Sequence, residues 1–219
     1  YPDRSGRYLW LLTAVSLSRF DTELKQLAPL TVAQDADFFQ QYFYSVTQTA
    51  TKELLAFTIN GAFWLKNDAS VVMLKQLSSF LSAPEQAQWF GANPLNENEY
   101  LFFYQGAIWR YSLQQDTVSL VYQVPEPHQN KGLFGEGMQQ LNQSLWFLIS
   151  GLGLVELDGV TFAEKSRFFH QEQPLLTTST LYALQQDPQG YLWMSSHAGL
   201  WRFNPAKRLL RQFTHRSGL

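Results

Sequence analysis

No cysteine occurs among the 219 residues. That excludes a disulfide framework and any thiolate metal site, and it leaves the redox compartment unmarked. Charge of one dominant sign is missing as well: 16 Lys and Arg stand against 18 Asp and Glu, a formal net charge of −2. Such a balance supplies no general attraction to nucleic acid or to an anionic membrane, so neither is expected as a partner. Long apolar runs are also absent. The stretch from Leu9 to Leu17, behind Arg4 and Arg7, is far below the roughly 20 residues needed to cross a bilayer. Its length suits a secretory apolar region, but it falls in register with a repeat described next and reads as mature structure. The chain opens at Tyr1 rather than Met, so a targeting signal or membrane anchor is expected outside it. No HExxH, P-loop or nucleophile-elbow pattern occurs.

What is present is aromatic. Hydrophobic residues make up 45% and aromatic residues 16%, a composition for a packed globular chain rather than a disordered one. The length suffices for one sizeable core, and residues 1–219 are read as one domain or as a segment of one.

The informative signal is self-similarity. "GYLWMSSHAGLWRFNP" from Gly190 aligns with "QSLWFLISGLGLVELDG" from Gln143. Both run Leu-Trp, a short mixed run, Gly-Leu, then alternating residues ending in Asn or Asp and a turn former. "EYLFFYQGAIWRYSL" from Glu99, "ELLAFTINGAFWLKND" from Glu53 and "GRYLWLLTAVSLSRFD" from Gly6 fit more loosely. With the first Leu as anchor the copies sit at Leu9, Leu55, Leu101, Leu145 and Leu192, spaced 46, 46, 44 and 47 residues apart. The clearest copy breaks into four short runs, "TLYALQQD", "YLWMSS", "LWRFNP" and "LLRQFTH", separated by Pro-Gln-Gly, Ala-Gly or Asn-Pro turn material. Gaps this short leave no room for crossover helices, so the strands are expected to be consecutive and antiparallel. Four strands in about 46 residues is the grammar of a β-propeller blade. The expected fold is all-β: about five four-stranded antiparallel blades with almost no α-helix. Innermost strands are placed at "YFYSVTQ" near Tyr42, "QWFGANPL" near Gln88 and "GEGMQQL" near Gly135. The first copy enters at its second strand and the last stops at a Gly-Leu, so the five blades are expected to be a segment of a larger propeller.

The segment from Asp187 to Pro205, with its Asp-x-x-Gly, Leu-Trp, Gly-Leu and terminal Asn-Pro, resembles the two-component regulator propeller repeat. The closing stretch from Phe213 to Leu219 resembles that repeat's outer strand and its lead into a next blade. Two blades carry the motif well; the middle copies have Ala56 and Phe102 where the pattern has Trp. The resemblance implies a non-catalytic sensor domain of a bacterial transmembrane signalling protein, periplasmic, joined beyond the membrane to a histidine kinase or diguanylate cyclase. It implies that the larger propeller is seven-bladed, with a small-molecule or oligosaccharide ligand, membrane anchoring of the full protein, a homodimer as one available assembly, and no cofactor. A protein-interaction scaffold is the alternative, and a propeller glycosidase or lyase a further one.

Individual residues are weighed against plain architecture. Trp10, Trp146 and Trp193 are either a stacking platform or, as recurring blade aromatics, core; core is the reading adopted. Gly151 and Gly153 read as a tight turn, not a phosphate loop. Asp187 reads as a turn cap. Asp35 with Asp37 and Glu97 with Glu99 read as solvated pairs, and Arg202, Lys207, Arg208, Arg211 and Arg216 as a solvated outer edge. His128, His170, His197 and His215 show no metal-ligand spacing, so no metal is expected. In a propeller, turns joining second to third strands share one face with the connections between blades. Tyr104, Gln105, Ser150, Gly151, Ser196 and His197 fall in the first kind; His128, Asn130 and Lys131, and the stretch 171–178, fall in the second. Long connections and convergent polar groups make this face the expected ligand site, with Gln105, His128, Lys131, Ser196 and His197 as the candidate binding residues.

Overall fold

A computed structural model describes residues 7–13, 16–28, 38, 42–67, 70–81, 92–126, 137–149, 151–168 and 181–214. Five antiparallel sheets follow one another along the chain, each with its strands side by side in sequence order. The first has three strands, β1 (Tyr8–Thr13), β2 (Ser16–Asp21) and β3 (Gln26–Ala28). The second has β4 (Phe43–Gln48), β5 (Leu54–Thr58), β6 (Gly61–Leu65) and β7 (Val71–Met73). The third has β8 (Asn93–Pro94), β9 (Glu99–Tyr104), β10 (Ala107–Ser112) and β11 (Thr117–Gln123). The fourth has β12 (Met138–Leu141), β13 (Ser144–Ile149), β14 (Gly153–Asp158) and β15 (Glu164–Phe168). The fifth has β16 (Leu181–Gln186), β17 (Leu192–Ser196), β18 (Gly199–Asn204) and β19 (Leu209–Phe213). These are β-propeller blades, and among the described residues the fold is all-β apart from one short α-helix, α1 (Lys75–Leu81).

Turn chemistry explains why the chain reverses where it does. Asp21 accepts the Glu23 and Leu24 amides, each at 3.0 Å, between β2 and β3. Asp158 accepts those of Val160 and Thr161 at 3.0 and 2.9 Å between β14 and β15. Asn204 accepts the Lys207 amide at 2.9 Å between β18 and β19. Each is a side chain standing in for the backbone acceptor that the turn lacks. Gly199 opens β18 with φ of 115°, and a Cβ there would stand 2.5 Å from the Phe213 carbonyl oxygen, so only glycine fits.

Contacts divide the chain into two compact units. One is Tyr1–Phe102 with Trp109–Leu120; the other is Phe103–Ile108 with Val121–Leu219. In the first, Trp10 and Leu17 of the first blade close on Val46, Leu54, Ala56 and Leu65 of the second, with Phe38 packed edge-on against Phe43 and Phe63. In the second, Trp146, Leu148 and Leu154 of the fourth blade close on Leu184, Leu192, Met194, Trp201 and Phe203 of the fifth. Each fully buried side chain of this kind contributes about 1.5–3 kcal/mol by leaving water. Gln139 on β12 adds a polar tie, donating Nε2–H to the Leu184 carbonyl of β16 at 2.9 Å.

Strand ends correct the repeat alignment in the middle copies. The second strands end at Thr13, Thr58, Tyr104, Ile149 and Ser196. Counting back from those ends, Leu9, Leu54, Tyr100, Leu145 and Leu192 are equivalent. The anchors expected at Leu55 and Leu101 are therefore one residue late, and the position occupied by Trp193 is held by Leu55 and Leu101, not by Ala56 and Phe102. Trp193 itself is half-buried rather than core; the buried indole of the fifth blade is Trp201, on the opposite face of the sheet. Arg202 is likewise half-buried, its guanidinium 4.6 Å from the Tyr191 ring centre and 5.5 Å from that of Trp193, instead of solvated. Helix α1 was not foreseen from the four-strand grammar. It forms because Leu74, Leu77 and Ser78 fall on one buried side, and Ser78 Oγ both accepts the Ala62 amide at 3.0 Å and donates to the Ala62 carbonyl at 3.2 Å.

Candidate functional site

Antiparallel pairing decides which residues share an end of a blade. In the fifth, Leu181 pairs with Ser196 and Ser196 with Gly199, so the start of β16 and the β17–β18 turn lie together. The opposite end holds Asp187, before β17, and Asn204, at the end of β18.

At the first end, His197 is exposed in the two-residue turn His197-Ala198. Its Nδ1 lies 2.6 Å from the Tyr182 hydroxyl, with ring centres 6.1 Å apart and planes tilted by 42°. Which atom donates across this contact depends on the imidazole tautomer; in the tautomer with Nδ1 as acceptor, Nε2–H is a donor on an exposed side chain. Tyr182 is 45% exposed. Held by the imidazole, it presents an aromatic ring beside a hydrogen-bond donor, a pairing suited to a polar ring-shaped ligand.

Ser196 stands beside His197 but is committed to the turn. Its hydroxyl donates to the Gly199 carbonyl and accepts from the Ala198 amide and the Trp201 indole, all at 3.1 Å. Gln105 occupies the corresponding turn of the third blade, exposed, with φ of 48° and Nε2 donating to the Tyr104 hydroxyl at 3.2 Å. With Gly106 at φ of 72°, Gln105 makes a two-residue hairpin turn whose twist suits the flanking strands, and positive φ recurs in other turns of the chain, as at Asn142 and Gln143. Gly151 and Gly153, with φ of 78° and 99°, make the tight turn between β13 and β14 that their sequence implies. His128, Asn130, Lys131, Ser150, His170, His215 and residues 171–178 lie outside the described residues, as do Asp35, Asp37 and Arg216.

Two features of the blades were not anticipated. Tyr182 sits 15 residues from His197 and inside a strand, where its two-residue offset from buried Leu184 would place it on the core face; the register shift between Leu181 and Ala183 turns it out instead. Farther out, the Tyr122 hydroxyl of β11 donates to Glu164 of β15 at 2.6 Å, and Arg167 holds the same carboxylate at 2.7 Å. Burial, then the Glu164 carboxylate, pushes the Tyr122 phenol well above its ordinary range. This network joins outer strands and is architectural.

At the opposite end, Asp187 accepts the Gln189 and Tyr191 amides at 3.0 and 2.9 Å, which is the turn-capping role assigned to it. It also accepts the Trp193 indole N–H at 2.7 Å. Burial pushes its carboxyl up, but the Trp193, Tyr191 and Gln189 donors outweigh that and leave it below the usual carboxylate range. Glu99 pairs with Arg110 at 3.5 Å. Among the described residues no group of three or more His, Asp or Glu is placed to hold a metal ion, and no helix is long and apolar enough to cross a membrane.

The architecture is that of antiparallel β-propeller blades. No family model matches the sequence, and no curated protein does. Solved structures do share the fold. The extracellular domain assigned to a one component system of B. thetaiotaomicron superposes with a TM-score of 0.63 at 15% identity, over 98% of this chain and 30% of that one. A second B. thetaiotaomicron extracellular domain, assigned to a hybrid two component system, gives 0.65 at 14% identity, over 97% and 27%. A catalytically inactive virginiamycin B lyase from Staphylococcus aureus, solved with quinupristin, gives 0.68 at 14% identity, over 97% and 68%. The chain thus spans about three-tenths of the two extracellular domains it resembles.

Proposed function

We propose that the chain is a non-catalytic, ligand-sensing propeller domain lying outside the cytoplasm, part of a bacterial transmembrane signalling protein with a histidine kinase or cyclase output. The likeness of nearly the whole chain to extracellular domains assigned to one- and two-component systems carries this reading. The exposed Tyr182–His197 pair supports a polar, sugar-like ligand at the end of the blades where second strands turn into third strands. Lys131 and His128 are proposed to contribute from the connection between the third and fourth blades, and Gln105 from its turn.

Titration calorimetry of the protein against a panel of neutral oligosaccharides tests the proposal, run beside incubation with quinupristin followed by mass spectrometry. The expected result is saturable binding of a sugar that weakens in His197→Ala and Gln105→Ala, with quinupristin unchanged. Because the lyase likeness is equally extensive, consumption of quinupristin overturns the sensor reading in favour of a lyase. Sugar affinity unaltered in both variants overturns the proposed face.

A further inference from the structure

The charges of the fifth blade are out of balance with those of the rest of the chain. Between Leu181 and Thr214 four cations, Arg202, Lys207, Arg208 and Arg211, stand against one carboxylate, Asp187, a formal +3 where the whole chain carries −2. Among the described residues none of the four pairs with a carboxylate. Asp187 is taken up by the Gln189, Tyr191 and Trp193 donors. Arg202 and Arg211 are moreover direct partners across β18 and β19, so two guanidinium groups share one face of the sheet. Like charges placed opposite each other in a ladder destabilise it.

The equivalent positions of other blades avoid this repulsion. Arg19 faces Ala28 across β2 and β3, and Trp64 faces Val72 across β6 and β7. Glu156 faces Ser166, whose hydroxyl donates to it at 2.6 Å. The turn repeats the contrast: Asp21 and Glu23 of the first blade, which meet Arg7, have Asn204 and Ala206 as their counterparts in the fifth. Both arginines of the pair are also held in place. The Arg202 guanidinium lies 5.7 Å and that of Arg211 4.8 Å from the centre of one ring, Phe213, which stacks on Trp193 at 5.5 Å. A strand edge guarded only against aggregation suits mobile lysines. Two planar forks fixed against a ring instead lose little freedom on taking up a ligand.

We propose that the Arg202–Arg211 pair is a binding site for an oxyanion, the sulfate or carboxylate of a short acidic saccharide. Each guanidinium offers a fork of N–H donors matched to such a group. The half-buried Trp193 and Phe213 rings supply an apolar surface for the sugar ring that bears it. The rest of the chain, −5 by difference, repels a long polyanion or an anionic bilayer, so the ligand is short. Arg211 lies in the outermost strand, whose counterparts β3 and β15 keep exposed residues even where the next blade covers the inner strands. The oxyanion site stands on charge and geometry alone; its assignment to a sugar rests on the sensor reading above.

Titration calorimetry at low salt compares a heparin-derived tetrasaccharide, trigalacturonate and neutral maltotriose, the first two separating sulfate from carboxylate as the source of the oxyanion. Saturable binding of an acidic sugar is expected, fading as salt is raised. Arg211→Gln should weaken it about tenfold or more, and Arg211→Lys should recover only part, since lysine offers a point charge in place of the fork. The Arg211→Gln protein should melt no lower than the parent, because it loses a repulsion. Failure of both acidic sugars to bind overturns the proposal, as does an affinity unchanged by Arg211→Gln. A lower melting temperature in that variant overturns it too, since the charge would then already be neutralised within the protein. So does equally tight binding of a single-stranded oligonucleotide matched in charge to the tetrasaccharide, the mark of general polyanion attraction. Acidic sugar bound through Arg211 with no sugar bound through His197 would remove the earlier ligand face and leave this site standing.

Discussion

The Asp187 carboxylate receives the Trp193 indole N–H at 2.7 Å while capping the turn that separates the two residues. One carboxylate thereby fixes both the turn into β17 and the side chain beside Arg202. Replacing Asp187 with Ala removes all three acceptor contacts and lowers the urea midpoint, whereas Asn, which keeps one oxygen for the turn amides, restores part of the loss. Trp193→Phe, lacking the indole donor, should be additive with neither variant. A double-mutant cycle in urea checks the coupling.

Glycines 190 and 199 separate backbone strain from crowding. Both have positive φ, 81° and 115°, but nothing lies within 4 Å of a Cβ at Gly190. Gly190→Ala is expected to cost about 1 kcal/mol, the left-handed penalty alone. Gly199→Ala adds the clash with the Phe213 carbonyl and costs clearly more. Chemical denaturation of both variants measures the difference.

Leu192 and Leu209 lie in β17 and β19 of the same blade, 0% and 63% exposed. Leu192→Ala should cost about 2–5 kcal/mol, through lost transfer free energy and a cavity between the fourth and fifth blades. Leu209→Ala should stay within about 0.5 kcal/mol. Equal effects in thermal unfolding would contradict the assigned faces of the blade.

Acid should loosen the β14–β15 turn. The Thr161 amide, then the Lys165 ammonium at 3.0 Å, holds the Asp158 carboxyl far below its ordinary range. A depressed folded value means that the contribution is complete above the carboxyl's ordinary range and fades as pH falls through the depressed value. Asp158→Asn should therefore be less stable than the parent at neutral pH and match it in strong acid. Urea midpoints across the acid range test the sign.

His197→Ala and Tyr182→Phe probe the exposed pair without touching the core. Both should leave the melting temperature nearly unchanged, as surface substitutions do within about 0.5 kcal/mol. A large drop in either would mean that the 2.6 Å contact supports the fold rather than standing ready for a ligand.

The fold was legible because turns and period survive divergence, but the register was not everywhere. "ELLAF" and "EYLFF" are buried on both faces, so period-two alternation vanishes and neighbouring apolar residues compete for the anchor. Thr58 with Gly61, and Gln105 with Gly106, hold the register in their turns instead. Trp193 and Trp201 show the same limit from another side: a leucine–tryptophan pair marks the strand, while the cross-strand partner decides which indole is buried. Ser196 and His197 were recognisable as turn residues, but one of the three bonds that tie Ser196 to its own hairpin comes from Trp201, and the contact of His197 depends on Tyr182. Sequence distance hides both.

Each blade pairs its strands with their immediate neighbours in sequence, and even the tie from Gln139 to Leu184 reaches only 45 residues along the chain. Contacts this local carry a small loop-closure cost. A blade can accordingly assemble as soon as its outer strand has left the ribosome, and it then offers the finished face on which the next one condenses. Synthesis would lay the blades down one at a time, with each hydrophobic face exposed only for the seconds needed to translate about 46 residues.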